Sequence, residues 1–280
     1  MKVFNKGIVN LYAEPSYDCE TVDEAFYGRS LEVLETTANG FYKVNTDYGY
    51  IGYVPVCDVS ECDLVPNKIV VAPFADLLRA PKNFYKPELT IPKGSLVCAE
   101  VPENDPSRPE IETRYATVRT PDGRTLYIHK RNLADIFPLT STKKEYTKEE
   151  ERRIRDGIVE EAKKYMGVQY RWSGKTTDGV DCSGLAFMAY LMNGFQIYRD
   201  AHLEKSEALY PIDFSEKKKG DLIFYKGHVT VYMGDERIIH AAATPGKVGI
   251  NSFVEGDDNY SEHYAHDSVG VGSLFPPESK

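Results

Sequence analysis

The sequence predicts a multidomain protein in which two small all-β barrels precede an α+β domain. The first half is rich in β-branched and aromatic residues, and Gly, Pro, Asn and Asp interrupt them at short intervals, as is typical of small barrels. That half also contains an internal repeat. The second half begins with helical periodicity and continues with the alternating pattern of strands, which predicts an α+β domain.

The internal repeat indicates two copies of one small β unit. Three segments of the first copy align in order with three of the second: VNLYAEPS with ADLLRAPK, YGRSLEVLE with PKGSLVCAE, and YKVNTDYGYIGYV with YATVRTPDGRTLYI. The third pair aligns after an insertion around PENDPSRP. We therefore place the two barrels at residues 1–65 and 66–138.

A polar bridge, LTSTKKEYTKEEERR, follows the second barrel and predicts a linker at 139–148 that runs into a helix. Thr147 and Glu150 have the spacing of a capping box, and apolar residues such as Ile158 and Ala162 recur with helical period up to Gly167. We expect this helix to open the third domain, at 139–280, in which two or three helices precede an antiparallel sheet.

The stretch VDCSGLAFMAYL, residues 180–191, places a cysteine at the start of an apolar helix. No charged residue occurs from Leu185 to Met192, so we expect a helix that is buried on all sides. The unpaired N–H groups and the dipole of its first turn favour thiolate at Cys182. Cys182 is therefore a candidate nucleophile, and the alternative is a structural core cysteine.

Two histidines follow on predicted neighbouring strands. His228 opens an alternating strand, a Gly234-Asp235 turn follows, and a second short strand ends at His240. A hairpin of this length brings the two imidazoles side by side. If the sheet packs against the cysteine helix, His228 can take the thiol proton while His240 orients its ring, which is the arrangement that thiol acyl transfer requires.

These motifs resemble those of the NlpC/P60 family of cell-wall cysteine peptidases, a papain-like group. The matching segments are YRWSGKTTDGVDCSGL, KKKGDLIFY, the His228 strand and the His240 strand with its VGINSF tail, and the two histidines are twelve residues apart, as in the family. The resemblance covers about the last half of the chain. It implies that Cys182 is the nucleophile, His228 the base and His240 the orienting residue.

The resemblance also implies a set of residues that bind the substrate. It places Tyr170 close to the nucleophile, and Asp181 and Ser183 in the substrate cleft. The strand pattern of the first half resembles bacterial SH3 (SH3b) domains. The expected fold is therefore two SH3b barrels followed by a papain-like NlpC/P60 domain.

Two SH3b units before an NlpC/P60 domain are similar to the dipeptidyl-peptidase VI group, enzymes that recycle murein peptides. The resemblance implies cleavage between γ-D-glutamate and the diamino acid of peptides that begin with free L-alanine. In that group, an aspartate after the cysteine helix and an acid and a tyrosine of the first SH3b unit reach the free amine. Asp200, in the stretch IYRD, is our candidate for the aspartate, and Glu20 and Tyr50 are our candidates for the other two. A buried carboxylate there would select substrates that carry a free amine.

Composition excludes several other classes of partner. The 280 residues carry a net charge of -9. The largest basic clusters are Lys217–Lys219 and the group at 151–155, and we expect both to be solvated. Nucleic acid is therefore not an expected partner. No stretch approaches the roughly twenty apolar residues that span a bilayer, so membrane association is not expected.

The cysteine count and the N-terminal stretch bear on the compartment. Five cysteines without paired spacing fit a reducing compartment, and the first residues contain no apolar signal-peptide core. We expect a cytoplasmic location, with a periplasmic or secreted one as the alternative if a signal peptide has been removed from the given sequence, and we favour a monomer.

Two alternatives remain open at this stage. One is a papain-like amidase or acyltransferase that passes the thioester to an acceptor other than water, and the other is a wall-peptide binding protein with an inert catalytic half. No metal or organic cofactor is implied. The stretch SEHYAH, residues 261–266, mimics a metal site, but nothing in the sequence sets its spacing, and we assign it no chemistry.

Overall fold

The computed structural model describes residues 1–82, 84–103 and 113–277. The chain divides into two compact units, Met1–Phe137 (the N-terminal unit) and Pro138–Lys280 (the C-terminal unit). Most of the insertion around PENDPSRP lies outside the described residues.

Seven antiparallel strands form the first sheet of the N-terminal unit. They are β1 (Lys2–Phe4), β2 (Ile8–Tyr12), β3 (Thr21–Phe26), β4 (Ser30–Thr36), β5 (Phe41–Thr46), β6 (Ile51–Pro55) and β7 (Val59–Glu61). Their order is β3-β2-β6-β5-β4-β1-β7. Alternation along β2 turns Val9 and Leu11 into a core that they share with Phe4, Val44 and Val54.

The described part of the N-terminal unit contains seven further strands. They are β8 (Lys68–Val70), β9 (Phe74–Leu77), β10 (Leu89–Pro92), β11 (Leu96–Glu100), β12 (Tyr115–Arg119), β13 (Thr125–His129) and β14 (Leu133–Asp135). Strands β9 and β10 pair with each other, and the other five form a sheet in the order β13-β12-β11-β8-β14. This order repeats the order β6-β5-β4-β1-β7 of the first sheet, so the repeat in the sequence is also a repeat in strand order.

Main-chain contacts join the two halves of the N-terminal unit. Gly28 has φ of +74°, and a Cβ at this position would lie 1.9 Å from the carbonyl oxygen of Leu96. The Leu96 N–H donates to the Tyr27 carbonyl at 2.9 Å, and Arg29 Nε donates to the Gly94 carbonyl at 3.1 Å. The sequence places a glycine here because no side chain fits between the two backbones.

The C-terminal unit begins with the helix α1 (Lys148–Lys163). Its predicted capping box is confirmed, because the Glu150 N–H donates to Thr147 Oγ1 at 3.3 Å and the Thr147 N–H donates to the Glu150 carboxylate at 2.8 Å. The predicted apolar stripe is also present, since Ile158 and Ala162 are buried.

Arg155 on α1 is buried. The expectation that the basic group at 151–155 is solvated is therefore wrong for this residue. Its Nη1 donates to Asp221 Oδ1 at 2.7 Å and to the Lys219 carbonyl at 3.0 Å. Its guanidinium carbon also lies 4.3 Å from the centre of the Phe275 ring. The charge therefore ties α1 to the rest of the unit instead of facing water.

The helix that carries the cysteine, α2 (Cys182–Leu191), follows a short hairpin of β15 (Lys175–Thr176) and β16 (Gly179–Val180). Every residue of α2 is buried, which confirms the prediction from its apolar sequence. The hydroxyl of Tyr190 donates to the Gly220 carbonyl at 2.7 Å, so a polar group on this helix is also satisfied.

A six-stranded antiparallel sheet completes the C-terminal unit. It contains β17 (Tyr210–Ile212), β18 (Leu222–Tyr225), β19 (His228–Gly234), β20 (Arg237–Ala242), β21 (Lys247–Ser252) and β22 (Gly270–Ser273), and a short helix, α3 (Glu262–His266), precedes β22. The strand order is β17-β22-β18-β19-β20-β21. Helix α2 packs on β19 and β20, which brings the cysteine helix to the histidine strands. Within the described ranges, no helix is long and apolar enough to cross a membrane.

Candidate active site

Cys182 is the first residue of α2 and is 8% exposed. Asp181 caps the helix, and its Oδ1 accepts the Gly184 N–H at 2.6 Å. The sulfur of Cys182 faces the backbone N–H groups of Ser183 and Val229. Since Val229 directly follows His228, the packing of α2 on β19 brings the thiol to the start of the histidine strand.

The expectation that the helix start favours the thiolate is wrong for this state of the protein. Burial, followed by the charge of Asp181, raises the pKa of Cys182 to about 11. The Val229 and Ser183 N–H groups and Arg199 lower it, but by less than burial raises it. Cys182 is therefore a neutral thiol at neutral pH.

His228 and His240 lie side by side, as the hairpin length predicted. Nε2 of His228 is 2.8 Å from Nδ1 of His240, and the two rings meet edge to face with centroids 5.1 Å apart. Burial, followed by His240 and His263, lowers the pKa of His228 to about 3, and burial also lowers the pKa of His240. Both imidazoles are therefore neutral at neutral pH.

Asn251 on β21 extends this hydrogen-bonded pair and was not identified from the sequence. Its Oδ1 lies 2.9 Å from Nε2 of His240. A signal is present in the strand KVGINS, where apolar Val248 and Ile250 alternate with Gly249 and Asn251. Because His240 pairs with Gly249 across the sheet, this alternation places Asn251 on the face of His240.

Two tyrosines enclose the histidine pair. The ring of Tyr264, on α3, lies 4.6 Å from that of His240 and 5.8 Å from that of His228, and Tyr225 packs 5.2 Å from Tyr264. The Tyr225 hydroxyl donates to the Tyr264 carbonyl at 2.8 Å, which holds α3 against the sheet. The stretch SEHYAH thus supplies an aromatic cover for the histidines. Among the residues that the structure describes, no cluster of His, Cys, Asp or Glu has the arrangement of a metal site.

Asp181 and Ser183 bind a buried arginine. Both amino groups of Arg199 reach the Asp181 carboxylate, at 3.1 and 3.0 Å, and Nη1 donates to Ser183 Oγ at 2.7 Å. Arg199 is 2% exposed. The two residues that the resemblance placed in the substrate cleft are thus held by Arg199 beside Cys182, and Arg199 itself was missed by sequence reasoning.

Tyr170 and Asp200 lie close to this group. Burial, followed by the charges of Cys182 and Asp181, raises the pKa of Tyr170 to about 12, which places its hydroxyl near the thiol. Asp200 is half-buried and directly follows Arg199. A cavity of about 600 Å³ begins next to Asp200, and its lining includes Ala201, Leu203, Phe224 and Gly227. Gly227 precedes His228, so the cavity extends toward the candidate base.

Glu20 and Tyr50 belong to the N-terminal unit. Glu20 is exposed in the segment before β3, and its carbonyl accepts the Ala13 N–H at 2.9 Å. Tyr50 is half-buried against the first core, and its hydroxyl donates to the Val22 carbonyl at 3.3 Å. A part for either residue in substrate binding stays a prediction.

Comparison with known families places the site within a recognised domain. Residues 167–267 match the NlpC/P60 family, and residues 7–59 match the bacterial SH3 domain. Cys182, His228 and His240 all fall within the first of these matches.

Two curated proteins and one solved structure are similar to the chain. Dipeptidyl-peptidase 6 of Lysinibacillus sphaericus is 33% identical over 275 residues, which cover 96% of this chain and 97% of that protein. Gamma-D-glutamyl-L-lysine dipeptidyl-peptidase of Bacillus cereus is 32% identical over 118 residues, 39% of this chain and 34% of that protein. The crystal structure of an NlpC/P60 family protein from Bacillus cereus has a TM-score of 0.76 at 19% identity, and it covers 99% of this chain and 100% of that chain.

Proposed function

The chain belongs to the NlpC/P60 family of cysteine peptidases, and we propose that it hydrolyses the amide bond between γ-D-glutamate and the diamino acid of murein peptides that begin with free L-alanine. The observation that carries this proposal is that the sulfur of Cys182, at the start of a buried helix, faces the N–H of Val229, the residue directly after His228, while His228 and His240 form a hydrogen-bonded pair. The likeness to dipeptidyl-peptidase 6 along almost the whole chain supports the choice of substrate.

The reaction begins from neutral groups. As the Cys182 sulfur attacks the carbonyl carbon of the glutamyl γ-amide, His228 takes the thiol proton. Because the pKa of Cys182 lies far above that of His228, proton transfer accompanies the formation of the C–S bond and does not precede it. The backbone N–H of Cys182, at the start of α2, is placed to bind the oxyanion.

Collapse of the tetrahedral intermediate releases the diamino acid. The imidazolium of His228 donates its proton to the departing amine, and the glutamyl carbonyl stays on Cys182 as a thioester. His228 then takes a proton from the water that attacks the thioester. As the C–S bond breaks and L-Ala-D-Glu leaves, the imidazolium of His228 returns this proton to the Cys182 sulfur, which restores the neutral pair. General acid–base catalysis of this kind contributes about 10²- to 10⁴-fold to the rate. We therefore expect His228→Ala to lower kcat by at least about 10²-fold.

Substrate recognition extends beyond the reacting groups. We place the free amine of L-alanine at Asp200, with Glu20 and Tyr50 as further partners, and Tyr170 beside the scissile amide. The half-buried position of Asp200, directly before Ala201 in the cavity lining, supports the first assignment, because a shielded carboxylate favours a cationic partner. We also assign both sheets of the N-terminal unit to SH3b barrels, on the support of their common strand order.

The test is mass spectrometry of the products from L-Ala-γ-D-Glu-diaminopimelate beside its N-acetylated copy. We expect L-Ala-D-Glu and free diaminopimelate from the first peptide, and cleavage of the second at least ~10-fold slower, because the acetylated amine carries no charge to pair with the Asp200 carboxylate. Absence of cleavage would refute the peptidase, and equal cleavage would refute recognition of the free amine. Products joined to an added amine would instead identify an acyltransferase.

A further inference from the structure

A continuous series of hydrogen bonds leads away from His228. Nε2 of His228 lies 2.8 Å from Nδ1 of His240, and Nε2 of His240 lies 2.9 Å from Oδ1 of Asn251. The side-chain nitrogen of Asn251 then donates to the carbonyl oxygen of Asn259 at 2.9 Å. Each nitrogen in this series therefore faces one defined partner.

The last acceptor in the series is held firmly. The Asn259 carbonyl also accepts the Ser252 N–H at 2.9 Å, and the Asn259 side chain donates to the Ile250 carbonyl at 3.0 Å. These contacts tie the loop that follows β21 to the strand itself. The position of the Asn259 carbonyl is thus set by the sheet and not by the histidines.

The chemistry of each group then decides where every proton lies. A backbone carbonyl can only accept, so Asn251 must direct its NH₂ group at Asn259 and its Oδ1 at His240. Oδ1 can also only accept, so His240 carries its proton on Nε2. Nδ1 of neutral His240 is consequently an acceptor, and it requires a proton on Nε2 of His228. The second nitrogen of neutral His228, Nδ1, is left without a proton.

We propose that Asn251 is a positioning residue that sets the tautomer of both histidines, so that the free Nδ1 of His228 accepts the thiol proton of Cys182. The inference rests on the proposed function, because it assigns Asn251 a part in the activation of the nucleophile. With the opposite tautomer, His228 would present an N–H to the thiol and could not act as a base.

Burial makes this control effective. His240 is 2% exposed, and the Tyr264 ring covers it at 4.6 Å, so water cannot readily replace Asn251 as the acceptor. In a comparable triad, a wrong imidazole tautomer lowers kcat by on the order of 10⁴. Asn251 acts through one further imidazole, so we expect its removal to lower kcat by at least ~10-fold.

The pH profile supplies a readout that a merely structural residue would not move. The titratable groups around His228 are Tyr225 on β18, His240 on β20, and His263 and Tyr264 on α3. Cys182 on α2 lies near Tyr264 and the Val229 N–H. The charged partner next to these is Asp267, 2.8 Å from His263. Asn251→Asp keeps the acceptor for His240 and adds a negative charge, which raises the pKa values of His240 and His228. The acidic limb of kcat/KM should then move to higher pH.

The tautomers can be observed directly in the wild-type protein. Long-range ¹⁵N–¹H NMR correlation of the histidine rings, assigned with His228→Gln and His240→Gln, should show both rings protonated at Nε2 only. A proton on Nδ1 of His228 would overturn the proposal. This measurement requires no substrate, so it tests the tautomers separately from the proposed function. If the murein peptide were left uncut, the proposed function alone would be refuted, and the expected tautomers would still support the role of Asn251.

Kinetics of three variants complete the test. We expect Asn251→Leu to lower kcat at least ~10-fold with KM within ~3-fold, and Asn251→Asp to keep kcat within ~3-fold with the acidic limb at higher pH. Asn132→Leu, the same change on a turn of the N-terminal unit, should match the wild type. Wild-type kcat in Asn251→Leu, or an unmoved acidic limb in Asn251→Asp, would overturn the proposal. If Asn251→Leu does not fold, Asn251→Asp and the NMR spectra decide.

Discussion

Cys182 and His228, the proposed nucleophile and base, are both neutral at neutral pH. Burial acts on the two in opposite directions, because it disfavours the thiolate of one and the imidazolium of the other. Neither the Cys182 thiol nor the His228 imidazole therefore carries a charge at neutral pH. In the proposed mechanism, charge develops only as the thiol attacks, and the hydrogen bonds through His240 to Asn251 orient the ring that receives the proton.

The low pKa of His228 predicts a loss of stability in acid. The unfolded chain binds a proton at this residue below its ordinary pKa of 6.5, whereas the folded protein does so only near 3. The unfolded state therefore binds more protons in this window, and the free energy of unfolding falls as the pH falls from 6.5 toward 3. Urea unfolding between pH 8 and 4 should show a smaller loss in His228→Asn than in the wild type. Parallel curves for the two proteins would contradict the lowered pKa.

Local sequence patterns predicted the residues whose geometry is local. Cys182 at a helix start and two histidines in a hairpin follow from helical and strand periodicity within a few residues. Asn251 and Arg199 reach His240 and Asp181 from 11 and 18 residues away, respectively, so their contacts depend on how strands and loops pack. The direction of the Cys182 pKa was missed for the same reason, since burial is a property of the packed unit.

The start of helix α2 depends on a buried ion pair. Arg199 satisfies both oxygens of Asp181, and Asp181 caps the helix next to Cys182. Arg199→Met would leave that carboxylate buried without its counter-charge, so we expect it to lower the free energy of unfolding by about 3–5 kcal/mol and to raise the pKa of Cys182 further.

The matched control for this change is Arg152→Met on α1. Arg152 pairs with Glu149 at 2.8 Å, but its side chain is 71% exposed, so we expect the free energy of unfolding to stay close to that of the wild type. Chemical denaturation of both variants checks the comparison. Similar losses in the two would show that the Arg199 pair is not needed to hold the helix start.

Elements with strong local signals were predicted well. The capping box at Thr147 and the wholly apolar face of α2 depend only on neighbouring residues, and both are confirmed. Arg155 was assigned to the solvent because the sequence around it is charged. Its actual partner, Asp221, lies 66 residues away in the sequence, and the contact forms only when α1 packs on the sheet. A local sequence pattern therefore cannot predict it.

Across the whole molecule, each unit depends on a few close contacts between its parts. In the N-terminal unit, Gly28 lies against the Leu96 carbonyl, so Gly28→Ala adds a backbone clash to the cost of its positive φ. Gly49 also has a positive φ, of +79°, but has open space around its Cβ position, so Gly49→Ala bears the conformational cost alone, about 1–2 kcal/mol. We expect Gly28→Ala to be clearly more destabilising in thermal unfolding. Equal losses would refute the close approach of the two sheets.

The sequence also predicted the broad organisation of the chain, because repeats and changes of periodicity extend over many residues. Strand order recurs in the two sheets of the N-terminal unit, and the C-terminal unit contains helices followed by an antiparallel sheet. The role proposed for Glu20 and Tyr50 in substrate binding does not follow from repeats or periodicity. The proposed role would require residues from two compact units to meet, which the patterns inside one unit do not encode.

The most direct test of the account is the rate at which Cys182→Ala hydrolyses L-Ala-γ-D-Glu-diaminopimelate, measured beside Cys57→Ala, which removes an exposed cysteine. We predict that Cys182→Ala retains no measurable hydrolysis, since the thioester cannot form, and that Cys57→Ala cleaves at the wild-type rate. Hydrolysis by Cys182→Ala at a rate near that of Cys57→Ala would contradict the assignment of Cys182 as the nucleophile.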